Sequence, residues 1–199
     1  AGNALEVFIN MDAVVPESLM VPAKDLLARC VFALDAMPSP VPFEPLNPGP
    51  AINSRSREHW HTLTADEETL IFTRMQPMEG TDASLAGGYE DFYMSRFEVG
   101  RWLEAENLGS PLNTSGNERA QSISVDGREL FFTACNRADG VGSCDIYHSV
   151  KRGNAWSEPV IPGSPLNSSY WDAQPSLSAD GKTLYFSSSR PGSRGDMDL

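Results

Sequence analysis

His59-Trp60-His61 offers the nearest thing to a metal site in this chain, because residues i and i+2 of a strand share one face and would project two imidazoles side by side. No third ligand stands at a matching spacing, and His148 lies far along the chain, so the pair reads as ordinary strand histidines. The nucleophile elbow Gly-x-Ser-x-Gly is absent, and no motif places a Ser, His and Asp together, so a hydrolase site has no support. The chain reads as a non-enzyme, and no cofactor is implied. Cys135 and Cys144 are nine residues apart and flank Asn-Arg-Ala-Asp-Gly-Val-Gly-Ser at 136–143, a run of turn formers. They could meet across a hairpin as a disulfide, which would place the protein in an oxidising compartment, or be two unrelated thiols. The bridge is the expectation, and Cys30, in an apolar helical pattern, is left as a buried small hydrophobe. Arg194-Gly195-Asp196 spells an adhesion tripeptide but sits in a Gly-rich stretch where turn chemistry accounts for it. Asn113-Thr114-Ser115 and Asn167-Ser168-Ser169 have the form of glycosylation sequons.

These groups must be positioned by a chain of 199 residues, enough for one ordinary domain and a short appendage. The 15 Lys and Arg stand against 27 Asp and Glu, a net charge of −12, which disfavours binding to nucleic acid or an anionic membrane surface. No apolar run approaches the roughly 18 residues of a membrane span, and the first residues lack the basic flank and apolar stretch of a signal peptide. A mature or internal fragment is expected. The 16 Gly and 15 Pro point to many turns and few long helices.

Internal repetition then sets the architecture. Leu-Thr-Ala-Asp-Glu-Glu-Thr-Leu-Ile-Phe at 63–72 returns as Ile-Ser-Val-Asp-Gly-Arg-Glu-Leu-Phe-Phe at 123–132 and as Leu-Ser-Ala-Asp-Gly-Lys-Thr-Leu-Tyr-Phe at 177–186. Asp91 and Asp145, Trp102 and Trp156, and Asn113 and Asn167 are each 54 residues apart. Asp66 and Asp126 are 60 apart, and the six extra residues fall within 75–88, the mark of a surface loop. In the second and third units, Asp-Gly at 126–127 and 180–181 between two apolar-aromatic runs signals a β-hairpin, followed in the second by a third strand at 145–150 and a fourth around 156–160. Short antiparallel strands repeating at this period predict an all-β propeller of four-stranded antiparallel blades. Leu130, Phe132, Leu184 and Phe186 should pack between blades. The repeats begin after a helical segment within 1–37, in which 23–37 puts Leu26, Leu27, Cys30, Val31 and Leu34 on one face, and a proline-rich linker at 38–50. The blades occupy 51–199, two complete and a third begun, and a propeller needs at least four to close. The chain is therefore expected to be an incomplete propeller from a longer protein.

The Asp-Gly hairpins, the Asp-Ile-Tyr strand at 145–147 and Trp-Ser-Glu-Pro at 156–159 resemble the PD40 repeat, a WD40-like blade also found in TolB-type propellers, over about 46–199. Ser189-Arg190-Pro191-Gly192 is similar to a loop this family carries, whereas Glu67 stands where the family prefers Gly, which implies a different hairpin turn there. Cys30-Val31-Phe32-Ala33-Leu34 followed by Pro42-Phe43-Glu44-Pro45-Leu46 resembles the junction of a TPR region with a PD40 propeller in OmpA-family envelope proteins of Bacteroidetes, PorE-like components of the type IX secretion system among them. That resemblance implies a periplasmic location or the periplasmic face of the outer membrane, other envelope proteins as partners, and contact with peptidoglycan through a domain not in this chain.

Eight residues before the three repeated aspartates stand Glu58, Glu118 and Asp172, each opening the innermost strand of its blade. They are expected either to gather at one mouth of the central channel, as a site for a cation or basic peptide, or to be solvated blade-edge charges or accept hydrogen bonds from the neighbouring blade. Arg137 and Arg190 are expected to form ion pairs within or between blades. The functional expectation is a non-enzymatic protein-interaction scaffold of the cell envelope, the alternative a ligand-recognition module for a glycan or peptide at the channel mouth.

Overall fold

The structure, a computed structural model, describes residues 16–37, 43–76, 88–192 and 197–198. The chain divides into two units, Ala1–Leu46 and Asn47–Leu199. In the first, α1 (Glu17–Ala36) begins six residues ahead of the helix read from the sequence. Pro22 is tolerated inside it at the loss of one N–H to the carbonyl of Ser18, and Pro16 caps the start by accepting from the amides of Leu19 and Met20. No described helix is long and apolar enough to cross a membrane.

The second unit is a propeller of antiparallel blades, incomplete in this chain. Blade one comprises β1 (Glu58–Leu63), β2 (Thr69–Gln76) and β3 (Tyr89–Glu98), with a fourth strand in two pieces, β4 (Arg101–Trp102) and β5 (Glu106–Asn107), both paired to β3. Blade two repeats it as β6 (Asn117–Ile123), β7 (Glu129–Cys135), β8 (Cys144–Arg152) and β9 (Ala155–Trp156). Blade three has β10 (Asp172–Leu177) and β11 (Leu184–Ser188), and the bridge Ser188↔Asp198 opens its third strand. The insertion read at 75–88 lies almost wholly outside the described residues, as does Arg194-Gly195-Asp196.

Each innermost strand carries the same irregularity. The register slips between His59 and Thr62, Arg119 and Ser122, and Ala173 and Ser176. At each slip one non-glycine residue takes positive φ: Trp60 at 54°, Ala120 at 51° and Gln174 at 57°. This is a β-bulge, which turns backbone groups out of the ladder and toward the next blade.

The hairpins are equally uniform. The Thr64 hydroxyl donates to Asp66 Oδ1 at 2.5 Å, that oxygen accepts from the Glu68 amide at 3.0 Å, and the Glu67 amide donates to the Thr64 carbonyl at 2.9 Å. Ser124 with Asp126 and Ser178 with Asp180 repeat these bonds. Glu67 stands at φ 61°, where Gly127 and Gly181 stand at 69°, so blade one uses the same turn and not another. The side-chain bonds from Asp66 and Thr64 hold the turn even though an L-residue occupies its left-handed position.

Apolar packing joins the blades. Phe92 of blade one meets Phe132 of blade two edge to face at 5.2 Å, and Ile71, Leu112, Leu130 and Tyr147 close around them, all essentially inaccessible to solvent. A large apolar side chain buried to this extent contributes about 1.5–3 kcal/mol. Leu130 and Phe132 are packed as expected, but Leu184 and Phe186 are only half-buried. Blade three has a neighbour on one side only.

Two outcomes follow from this geometry. Glu67→Gly should raise stability by about 1 kcal/mol in chemical denaturation, because glycine occupies the left-handed region without the Cβ penalty. Amide hydrogen exchange should be slowest in β7 and β8, whose blade is covered on both faces, and faster in β11; equal protection of all three blades would contradict the packing described.

Candidate functional site

The three acidic residues at the blade starts are within reach of the loops that precede them. Glu58 Oε1 accepts from the Ser54 hydroxyl at 2.5 Å and from Arg74 Nε at 2.9 Å. Glu118 accepts from the Thr114 hydroxyl at 2.5 Å and the Thr114 amide at 3.1 Å. Asp172 Oδ2 accepts from the Ser168 hydroxyl at 2.6 Å and amide at 2.7 Å, while its Oδ1 takes the Ser188 hydroxyl at 2.6 Å and Arg190 Nε at 3.1 Å. Glu118 and Asp172 are fully buried. These partners lie in each acid's own blade or in the loop that enters it, so the acids are neither solvated edge charges nor acceptors from the neighbouring blade. The sequence signal was a Ser or Thr four residues before each acid, a spacing that closes a loop onto the strand that follows it.

The environments differ enough to split the carboxyls. Burial pushes Asp172 up, but the Ser168 and Ser188 hydroxyls, the Ser168 amide and Arg190 more than reverse this and hold it below the usual range. At Glu118 burial prevails over the two Thr114 bonds and the field of Arg137, and the carboxyl is raised. Arg137 itself pairs with Asp139 at 3.2 Å and lies 4.6 Å over the Tyr147 ring, so both expected arginines are bound within their own blades.

The loops ahead of these acids also clamp the previous blade. Asn113 Oδ1 accepts from the Phe92 amide at 2.8 Å and its Nδ2 donates to the Phe92 carbonyl at 2.9 Å; Asn167 does the same to Ile146, at 2.8 Å both ways. Read as sequons, both asparagines have their amide nitrogens engaged, and Asn167 is buried. Gln121 Nε2 donates to the carbonyls of Trp60, at the bulge, and of Ile71, and its Oε1 accepts from the Thr73 hydroxyl at 3.0 Å.

His59 and His61 are not brought to a common ligand. His59 Nε2 pairs with Glu90 at 2.8 Å, Arg119 reaches the other oxygen of Glu90 at 3.3 Å, and His61 stacks on Phe72 at 5.7 Å. Burial, which outweighs the opposing field of Glu58 and is helped by His59, keeps His61 below the usual imidazole range. His148 pairs with Glu129 and stacks on Phe131 at 4.4 Å. No cluster of three or more His, Cys, Asp or Glu suited to a metal occurs among the described residues. Cys135 and Cys144 stand opposite each other in β7 and β8, Cα atoms 4.0 Å apart, and are bridged. The bridge closes the loop in which Asp145 accepts from the amides of Val141 and Gly142, and Gly142 abuts the Tyr170 carbonyl of the next blade, leaving no room for a Cβ.

No family model and no curated protein matches the chain. Among solved structures it is similar to the crystal structure of TolB from Acinetobacter baumannii, with 21% sequence identity and a TM-score of 0.45 over 72% of this chain. The chain spans 29% of the length of that protein.

Asp172→Asn should destabilise the protein by about 3 kcal/mol at neutral pH in urea denaturation, since it leaves Arg190 and two hydroxyls around a neutral amide. Because the Asp172 carboxyl is held below its unfolded value, its contribution is complete above the unfolded pKa and is lost as pH falls through the folded one. The difference between variant and wild type should therefore shrink below pH about 4.

Proposed function

We propose that this chain is the propeller portion of a non-enzymatic interaction scaffold of the bacterial envelope, working in the periplasm or on the periplasmic face of the outer membrane. One observation carries the reading: the repeated polar residues that could have formed a reactive or ion-binding site are spent on the scaffold. Glu58, Glu118 and Asp172 latch loops, and Asn113, Asn167 and Gln121 clamp blade to blade. What is left to the outside is surface, including Trp60, about 44% exposed on an innermost strand. Exposed aromatics on a rigid sheet are suited to docking.

The finer reading is that the propeller belongs to an OmpA-family, PorE-like protein that meets other envelope proteins through the blades and peptidoglycan through a separate domain. The likeness of the 30–46 segment and of the hairpin repeats to that family supports it. A disulfide between Cys135 and Cys144 accords with an oxidising compartment.

The test is photo-crosslinking in the producing bacterium from a reactive residue introduced at Trp60 or at the exposed Gln174. Discrete adducts to one or a few envelope proteins are expected. Adducts to glycan strands or muropeptides alone would favour the ligand-recognition alternative, and recovery of the protein exclusively from the cytoplasm would end the envelope reading.

A further inference from the structure

Blades one and two part at their hairpin ends and leave an open cleft of about 510 Å³. Met94 from blade one and Ile123 and Trp156 from blade two line it together with the polar Thr64, Asp66, Asp126 and Lys151. A hollow of about 300 Å³ adjoins it, sharing Met94, Lys151 and Trp156 and adding Arg96. Another, of about 470 Å³, shares Lys151 and adds Arg128 and Arg152. Lys151 is common to all three, half-buried, with its ammonium 5.7 Å from the centre of the Trp156 ring.

The cleft carries Asp66 and Asp126 beside Lys151, whereas the smaller hollow is lined by Lys151 and Arg96 and by no carboxylate. Among the described residues no ion pair reaches Arg96, Arg128, Lys151 or Arg152. Asp66 and Asp126 lie on the rim, but each commits an oxygen to its own turn. Arg96 and Met94 also line a further hollow, on whose walls stand Glu98, Glu104 and Glu106. Burial, and then the nearby Arg96, push the Lys151 ammonium below the usual lysine range. A partly desolvated ammonium without a counter-ion is a site where an incoming anion gains more than it would at the open surface.

We propose that the hollow of about 300 Å³ binds an acidic peptide segment, one carboxylate received by Lys151 and Arg96 and a neighbouring apolar side chain laid on Trp156 and Met94. Met94, Leu108 and Trp156 in its lining argue for a peptide over inorganic phosphate, which would leave them uncovered. The net charge of −12 argues against a nucleic acid, whose long charged backbone would be repelled beyond the patch. The inference rests on the reading of the protein as an interaction scaffold. Loss of crosslinking from Trp60 with peptide binding intact would fail that reading and leave this one standing.

The experiment is fluorescence anisotropy of a labelled ten-residue peptide of alternating Glu and Leu, titrated with the 199-residue chain whose near-UV circular dichroism shows a folded state. Saturable binding is expected, weakened by added salt. Lys151→Met, which keeps the apolar stem over Trp156, should weaken it at least about tenfold. Arg96→Gln, at an exposed position where folding is not at risk, should weaken it severalfold and so serves as the readout if Lys151→Met loosens the blade. A peptide of alternating Gln and Leu should not bind. Equal binding of that neutral peptide, affinity unchanged in both variants, absence of saturable binding, or equal competition by inorganic phosphate or single-stranded DNA would each overturn the proposal.

Discussion

Everything in the propeller unit depends on one side-chain amide per interface meeting both backbone groups of a single residue in the neighbouring blade. Apolar packing between Phe92, Phe132 and Tyr147 supplies the larger energy, but it is non-directional and would tolerate sliding or rotation of one sheet on another. Asn113 on Phe92, and Asn167 on Ile146, accept from the N–H and donate to the C=O of one residue. Such a pair fixes position along the strand and orientation about it. The net gain per bond is about 1 kcal/mol, while losing it strands buried backbone groups at a cost of about 1–3 kcal/mol each. The bulges belong to the same device. Turning Trp60 to positive φ costs of order 1 kcal/mol and gives Gln121 a carbonyl to donate to.

The carboxylates fall into two populations with different physics. Asp66, Asp126 and Asp180 are fully exposed and held below the usual range first by the hydroxyl two residues earlier and then by a backbone amide. They shape hairpins. Glu58, Glu118 and Asp172 lie eight residues earlier in each repeat, within the blade, and shape the loops that enter it. Both populations are engaged in shaping the backbone, and this is why the composition of an acidic protein and the behaviour of its repeated acids point in different directions. The surface carries the net charge; the repeat carries the hydrogen bonds.

How much of this was legible follows from what each feature needs from sequence. Hairpins were legible because a turn needs particular residue types at fixed offsets, and Ser-x-Asp-Gly supplies them; the Cys135 and Cys144 pairing was an easy geometry across one such loop. The turn at Glu67 was misjudged because residue type was taken to decide φ, whereas Thr64 and Asp66 fix the backbone around it. The bulges at Trp60, Ala120 and Gln174 share no residue type, so nothing local announces them; at Trp60 and Gln174 the adjoining blade bonds the backbone group that the bulge turns out. Glu58, Glu118 and Asp172 were found by period alone, but their role required knowing that Ser54, Thr114 and Ser168, four residues earlier, face them. The Lys151 cleft has no period at all: the position one repeat earlier is Phe97, which packs on Trp102 as Lys151 lies over Trp156.

The polar contacts between blades run both ways. Asn113 and Gln121 reach back to blade one and Asn167 to blade two, whereas the Thr133 and Ser122 hydroxyls of blade two reach forward to accept from the amides of Gln174 and Leu177 in blade three. Asn47 and Asn53 open blade one with the same device. Asn47 Oδ1 accepts from the Gly49 amide and from Asn53 Nδ2, both at 2.8 Å, as Asn107 Oδ1 accepts from Gly109 and from Asn113 at 2.7 and 2.8 Å. The loop 47–54 is thus a third copy of the blade-entry element, 60 residues ahead of its counterpart, and it extends the repeat back to the boundary where the second unit begins. Because the loop forms by the same internal bonds in all three blade entries' common portion, Asn to Ser or Thr to acid, its shape is a property of the local sequence; the clamp onto a neighbour is added to a loop that is already built.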